Sequence, residues 1–391
     1  MKGKSWYRSG MDSPGKMMKF RVSALIVIFF ITIGCPDKEV PQEAGFEAVN
    51  VSNTPYDSEY PTIAVGPYGN IYIFWEEWNP DSGGIYYTYR SPDGKWSEAT
   101  FLCEGWFPCV RIDDSGTIHL AYQHDFAIHY TKKSPSGDWS PPEVVTALGL
   151  STDPIIAVDK LGNIHLIWGE LTGAIRIFYS KRSAEGSWSL PVELNREEAF
   201  HRSDYRIAVN AQGDAFVTWT NTVTDTGPDY ILFTTNACGD TWSYPVPLNS
   251  NDSVIHFQSD IVVDSKGTIH VVWDECMEGK SVLYRYNEFG RWSEEIVLNS
   301  DSLPGGSPYL EIDEHDQLHL IYRPQIMRGT FQIYYRNKRP YGDWSERVFI
   351  TDFGRPLGVD IHKGSVYIVC SEAEPPTYIN DIYLVEASHL Y

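Results

Sequence analysis

A single phrase returns seven times along this chain of 391 residues, and few folds can accommodate it. It is an apolar run, often opened by proline, then Asp-x-x-Gly or a close variant, then a run of the type Ile-His-Leu-x-Trp. Full copies occupy 61–75, 108–122, 154–168, 205–219, 259–273 and 308–322, and a degenerate copy occupies 356–370. Measured between Val65, Ile112, Val158, Val209, Val263 and Ile312, the steps are 47, 46, 51, 54 and 49 residues. A second phrase follows each of the first six copies: a Tyr-rich run, a short Gly turn and a Trp-Ser pair, at Trp96, Trp139, Trp188, Trp242, Trp292 and Trp344. A final apolar segment completes each unit. Repeats of this length, with β-branched and aromatic runs separated by Gly, Pro, Asn and Asp turns, have the form of propeller blades.

Each unit therefore holds four short strands, and no stretch beyond the N-terminal segment has helical periodicity. Closure into a ring is favoured over a stack of sheets because it leaves no large face or edge bare. The seventh unit supplies three runs, at 359–361, 366–370 and 382–385. The segment 46–53 resembles the outer-strand tail 296–300 and runs straight into the next first strand. The expectation is an all-β, seven-bladed β-propeller of four-stranded antiparallel blades, its last blade closed by the N-terminal strand.

The turn phrase, Ser91-Pro92-Asp93-Gly94-Lys95-Trp96 for example, resembles the Asp box (the BNR repeat) of the sialidase-like propellers, Ser-x-Asp-x-Gly-x-x-Trp. The resemblance covers 46–388. Most copies place Gly two residues before Trp, one residue shorter than the family pattern, and the copy at 235–242 has Ala237 where Asp belongs. It implies the fold and does not carry activity with it. A sialidase would need three arginines on one carboxylate, a Tyr–Glu nucleophile pair and an Asp acid/base. Arg202, Arg206, Arg323 and Arg355 are the arginines placed to converge. The Arg-Ile-Pro motif of the family is absent, and the family's rings have six blades.

The N-terminus reads as a targeting segment. Lys16, Lys19 and Arg21 precede the uncharged run 22–34, which is short for the ~20 residues of a bilayer span and suits a signal h-region. It ends in Thr32-Ile33-Gly34-Cys35, which resembles a bacterial lipobox and makes Cys35 the expected lipidation site. The start is expected at Met17 or Met18. The domain reading is thus a signal peptide at 1–35, a linker at 36–45 and the propeller at 46–391, on a lipid-anchored, extracytoplasmic protein of the bacterial cell envelope. Beyond Cys35 there are 25 basic and 51 acidic residues, a net charge of −26 against −21 for the whole chain. Such a surface repels phosphate backbones, so nucleic acid is not an expected partner. Cys103 and Cys109 are either a disulfide or two buried thiols.

Four histidines, His119, His165, His270 and His319, share one slot of the repeat. Radial repetition scatters that slot around the ring, so these read as packing residues, and no metal or cofactor is expected. Asp113, Asp159, Asp264 and Asp313 open hairpins whose backbone N–H groups they accept. Function is sought where repeats differ, in the loops after the second strands and those leading into the first strands, which share one face. They offer Glu76, Glu77, Trp78, Trp106, Phe107, His124, Asp125, Arg202, Arg206, Arg323 and Arg355 as candidate ligand-binding residues. Trp78 and Trp106 have no counterpart in other blades and offer flat apolar faces for sugar C–H groups or a partner side chain. The reading is a non-catalytic, membrane-anchored propeller that binds a glycan or a protein on this face. Its alternative is a divergent carbohydrate-active enzyme, a sialidase-like glycoside hydrolase or a polysaccharide lyase.

Overall fold

The computed structural model describes residues 46–146, 149–173, 175–195, 204–222, 229–237, 239, 241–250, 255–276, 281–299, 305–324, 332–373, 379–388 and 390. Cys35 with its lipobox, Arg202 and Cys238 lie outside the described residues.

Seven antiparallel sheets form, one for each copy of the repeat, and blades one to six are built in chain order from the channel outward. Blade one is Ser58–Val65, Ile71–Glu77, Gly84–Arg90 and Thr100–Cys103; blade six is Gly305–Ile312, Leu318–Pro324, Ile333–Lys338 and Val348–Thr351. Blade five splits its outer strand into Arg291–Trp292 and Ile296–Val297, both paired with Ser281–Glu288. In blade seven, Arg355–His362, Ser365–Ala373 and Asn380–Ala387 are completed by Ala48–Asn50, which pairs Ala48 with Val385 and Asn50 with Tyr383. The protein is a seven-bladed β-propeller closed by its N-terminal strand.

The hydrophobic core is divided among the joints between blades. Seven buried clusters occur, and each mixes residues of two neighbouring blades, as Ile85 and Phe74 of blade one meet Val110 and Leu120 of blade two. Trp75, Trp168, Trp219 and Trp273, two or three residues before the ends of the second strands, are buried. In blades two to six the Trp of the Trp-Ser turn sets its edge against an aromatic ring of the preceding blade: Trp139 on Phe74 at 5.9 Å, Trp188 on Tyr130 at 5.5 Å, Trp242 on Tyr179 at 4.8 Å, Trp292 on Phe233 at 5.1 Å and Trp344 on Tyr284 at 5.3 Å. These edge-to-face pairs add to burial at the five joints from blade one to blade six, which is why the repeat carries both tryptophans.

The shared histidine slot is a buried relay. In blade three, Asp159 Oδ1 accepts the N–H groups of Leu161 and Asn163, its Oδ2 lies 3.1 Å from His165 Nε2, and His165 Nδ1 lies 2.9 Å from the Tyr179 hydroxyl. The same chain runs Asp113–His119–Tyr130 in blade two. Each histidine ties a hairpin turn to the third strand of its own blade, and none of these relays reaches the central channel.

Candidate functional site at the channel mouth

Every first strand enters the ring from one face and runs down the channel, so side chains two residues apart stack in tiers. At the mouth, the pairing with the second strand slips by a bulge, between Glu59 and Thr62, Trp106 and Cys109, Thr152 and Ile155, and Gly306 and Tyr309. The bulged residue before the proline takes a left-handed backbone in four blades: Tyr60 (φ 47°), Phe107 (51°), Asp153 (50°) and Ser307 (48°). Non-glycine residues adopt this conformation rarely and at a cost, and bulges of this kind re-aim a side chain. With Asp204, Gln258 and Arg355 at the same position of the other blades, they form a ring of one residue from each blade.

Below the ring, the second tier is Thr62, Cys109, Ile155, Arg206, Asp260 and Tyr309, with Leu357 and Gly358 from blade seven, which has one residue more. The third tier is Ala64, Arg111, Ala157, Ala208, Val262, Glu311 and Asp360. A cavity of about 360 Å³ is lined by most of the first two tiers and by Arg111 and Glu311 of the third. A second hollow of about 400 Å³ adjoins it on the side of blades seven and one and shares Tyr60, Arg355 and Leu357.

The mouth has two unlike halves. On blades one to three it is aromatic and acidic. Tyr60 and Phe107 meet edge to face at 5.0 Å, and Trp78 and Trp106 lie 4.9 Å apart at 36° just outside them. Trp78 is 53% and Tyr60 49% exposed. Burial, then the charges of Glu59, Glu76 and Asp153, hold the Tyr60 phenol above its usual range, with Arg355 acting the other way. On blades four to seven the mouth carries the arginines, set among the carboxylates of Asp204, Asp260 and Glu311. Arg206 and Arg355 line the cavity, and Tyr309 lies within reach of both their charges and donates its hydroxyl to the Pro356 carbonyl at 3.2 Å. Burial and then the neighbouring Arg355 charge lower the Arg323 guanidinium from its usual value. Three of the four candidate arginines therefore gather on one side of the mouth; Arg206 also faces Asp260 at 3.9 Å.

One expectation is corrected and one open alternative is decided. Glu76 and Glu77 are 1% and 2% exposed, so neither presents a carboxylate to the rim. Glu77 accepts hydrogen bonds from Ser58 Oγ at 3.1 Å and Trp75 Nε1 at 3.0 Å. Glu76 accepts the N–H of Phe107 and so holds that left-handed residue in place from the neighbouring blade; burial outweighs this bond and pushes its carboxyl up to about 7. Cys103 and Cys109 are free thiols. Cys103 ends the outer strand of blade one, while Cys109 faces blade three and accepts the N–H of Ile156 at 3.5 Å. His124 and Asp125 share the mouth face but do not line the cavity; His124 contacts Asp125 at 3.5 Å and His129 at 5.4 Å between ring centres.

With this geometry in view, the comparisons with known proteins are of fold alone. No family model matches the chain, and no curated protein matches it in sequence. Among solved structures it is similar to an ulvan lyase, a polysaccharide lyase bound to a repeat of glucuronate and 3-sulfated rhamnose. That match has 12% identity over 88% of this chain and 98% of the other, with a TM-score of 0.59. A second polysaccharide lyase matches at 14% identity over 89% and 93%, TM-score 0.56. A protein of unknown function from Dyadobacter fermentans matches at 13% over 87% and 98%, TM-score 0.50.

The third tier is what the sequence reading missed. Arg111, Glu311 and Asp360 stand where four blades have Ala or Val, and that break in the repeat was the available signal. Asp360 crosses the ring's closing joint: its Oδ2 accepts the N–H of Val65 at 2.7 Å. Asp260 does the same between blades five and six, accepting the N–H of Leu310 at 2.9 Å. Burial, then the charge of Asp360, raise the Glu311 carboxyl well above its usual value, against the pull of Arg111. Burial likewise pushes Asp360 up to about 6. A group whose folded pKa is raised takes up its proton in the native state first, so it adds stability as pH falls and withholds it at high pH. Glu311→Gln, which copies the neutral form, is therefore expected to raise the melting temperature at pH 8, with the gain vanishing near pH 4. Melts across that range check the sign.

Proposed function

We propose that the channel mouth binds an acidic polysaccharide, with a uronate carboxylate held on the arginine side. Arg355 stands foremost in this reading, with Arg323 and Arg206 behind it. The apolar faces of adjoining sugars lie across Tyr60 and Phe107 and on towards Trp78 and Trp106. The observation that carries it is the gathering of arginines from three blades about Tyr309, opposite two aromatic pairs on the same mouth. Guanidinium pairs carboxylates in two-pronged geometry, and exposed aromatic rings suit sugar C–H faces. The chain's net negative charge does not defeat this, because its field is screened over about 8 Å at physiological salt while the arginines act at contact. The fold likeness to polysaccharide lyases, one bound to a glucuronate polymer, is in keeping with such a ligand.

Binding without cleavage is the favoured form. A lyase needs a base that reaches the sugar, and burial holds the phenols of Tyr60 and Tyr309 above their usual range. Glu76, whose carboxyl is pushed up to about 7, is enclosed behind Phe107. Incubation with a soluble polyuronate is the test. Retention of the intact polymer is the expected outcome. Growth of the ultraviolet absorbance of an unsaturated uronate would replace binding with β-elimination, and failure to retain the polymer would reject both.

We further propose that Cys35 carries the lipid that places this mouth outside the cytoplasmic membrane. Cys35→Ser is expected to move the protein from the membrane to the soluble fraction, because stable attachment needs more than one acyl chain. Unchanged partitioning in a membrane flotation would reject the anchor.

A further inference from the structure

On the face opposite the mouth, the hairpins of blades five and six enclose a groove of about 260 Å³. The repeat supplies its own controls for what is unusual there. In blades two, three and six the histidine Nε2 lies 3.2, 3.1 and 3.3 Å from the hairpin aspartate. In blade five, His270 stands 3.7 Å from Asp264, and its side chain is 11% exposed, against 6% or less in the other three. Its Nδ1 keeps the bond to Tyr284 at 2.8 Å. The relay is longest where the groove lies, and the imidazole lines it.

The wall opposite is strained. In the Trp-Ser turns of blades one, three, four and five a glycine takes the left-handed position: Gly94, Gly186, Gly239 and Gly290. In blade six Gly342 holds the matching place, two residues before the Trp, and the residue before it, Tyr341, is the left-handed one at φ 61° and 84% exposed, as Phe289 is in blade five at φ 52°. A tyrosine there costs stability that the adjacent Gly342 would spare. The ring it projects lies against Lys266, whose Nζ sits 4.1 Å from the ring centre and 2.5 Å from the hydroxyl.

The groove's charges are unequally satisfied. Asp264 Oδ1 accepts the N–H groups of Lys266 and Thr268 at 3.0 and 2.7 Å, and Asp316 accepts the N–H and hydroxyl of Ser265 at 2.8 and 2.6 Å. Lys266, Lys338 and Arg339 also line the groove, and among the described residues none of them has a carboxylate within 4 Å. Asp264 and Asp316 are occupied by the protein itself and Glu288 stands at the groove as a third acid, whereas the three cations have no carboxylate within 4 Å among the described residues. An aromatic shelf, an imidazole edge and unpaired cations suit a sugar ring bearing one anionic group. The volume lies below the ~300–1,000 Å³ of drug-sized pockets, which limits the occupant to about one residue.

We infer that this groove is a second binding site, independent of the mouth, for a single anionic sugar, carboxylated or sulfated. Ligand-observed magnetic resonance on the purified protein tests it, with glucuronic acid, glucose 6-sulfate and glucose as probes. At least one anionic probe should bind and glucose should not; which of the two binds identifies the anionic group. Tyr341→Gly, which relieves the strained turn, should weaken that binding by about tenfold or more without lowering the melting temperature, and Lys266→Ala should weaken it similarly. Arg355→Ala at the mouth should leave it intact. Binding that survives Tyr341→Gly, that is lost only with Arg355→Ala, or that is absent throughout would overturn the second site, and each leaves the polymer assay at the mouth to be judged alone.

Discussion

A chain lacking residues 46–53 is expected to aggregate rather than to remain a stable monomer. The strand Ala48–Asn50 is short, but it is the outer edge of blade seven and pairs with Tyr383–Val385. Around it, Asn50 and Ser52 bond the Asp381 carboxylate at 3.0 and 2.9 Å, and the Val51 N–H donates to the Ile382 carbonyl at 2.8 Å. Phe46 and Ala48 pack on the cluster between blades six and seven, and Val51 on the cluster between blades seven and one. At about 1 kcal/mol net for each hydrogen bond, and 1.5–3 kcal/mol for each large apolar side chain fully buried, the loss is on the order of 5 kcal/mol or more. That is a large part of the roughly 5–15 kcal/mol that holds a typical domain together. It also bares the edge of Asn380–Ala387, a template for pairing with another chain. Size-exclusion chromatography and a thermal melt would read both effects. A monomer that melts unchanged would mean that the ring closes without this strand.

The ring was legible because each blade repeats the same solution to the same packing problem. Trp168, Trp219 and Trp273 fall at one register position because six of the seven blades place a large ring there, with the buried Cys370 in blade seven, so periodicity alone identified the core. The closing strand was legible for a similar reason: 46–53 carries the pattern of an outer strand with no inner strand before it. The mouth was only partly legible. Arg206, Arg323 and Arg355 were found because they interrupt the repeat in loops known to share a face. Glu76 and Glu77 were misplaced because they follow the second-strand Trp, where the chain reaches the rim, while their side chains turn inward to Phe107, Ser58 and Trp75. Strand alternation cannot reveal that, since it depends on the bulge in the next first strand. The left-handed residues before proline were equally hidden, because Tyr60, Phe107, Asp153 and Ser307 share no residue type. Cys103 and Cys109 are near in sequence, but between them the chain crosses from the edge of one blade to the channel wall of the next.

The central claim is that the arginine side of the mouth holds a carboxylated polymer, and Arg355 is its most direct probe. Arg355 lies in the ring that opens the channel and lines both adjoining cavities, so its loss removes a ligand contact without opening a core. A charge-assisted hydrogen bond contributes roughly 1.5–3 kcal/mol, which corresponds to about 10- to 100-fold in affinity. The deciding measurement is calorimetric titration of a polyuronate, and of the same polymer with its carboxylates reduced to alcohols, into the native protein and Arg355→Ala. The account predicts that the native protein binds the acidic polymer and not the reduced one, and that Arg355→Ala loses about 10- to 100-fold with an unchanged melting temperature. Equal binding of the two polymers, or full affinity in Arg355→Ala, would contradict it.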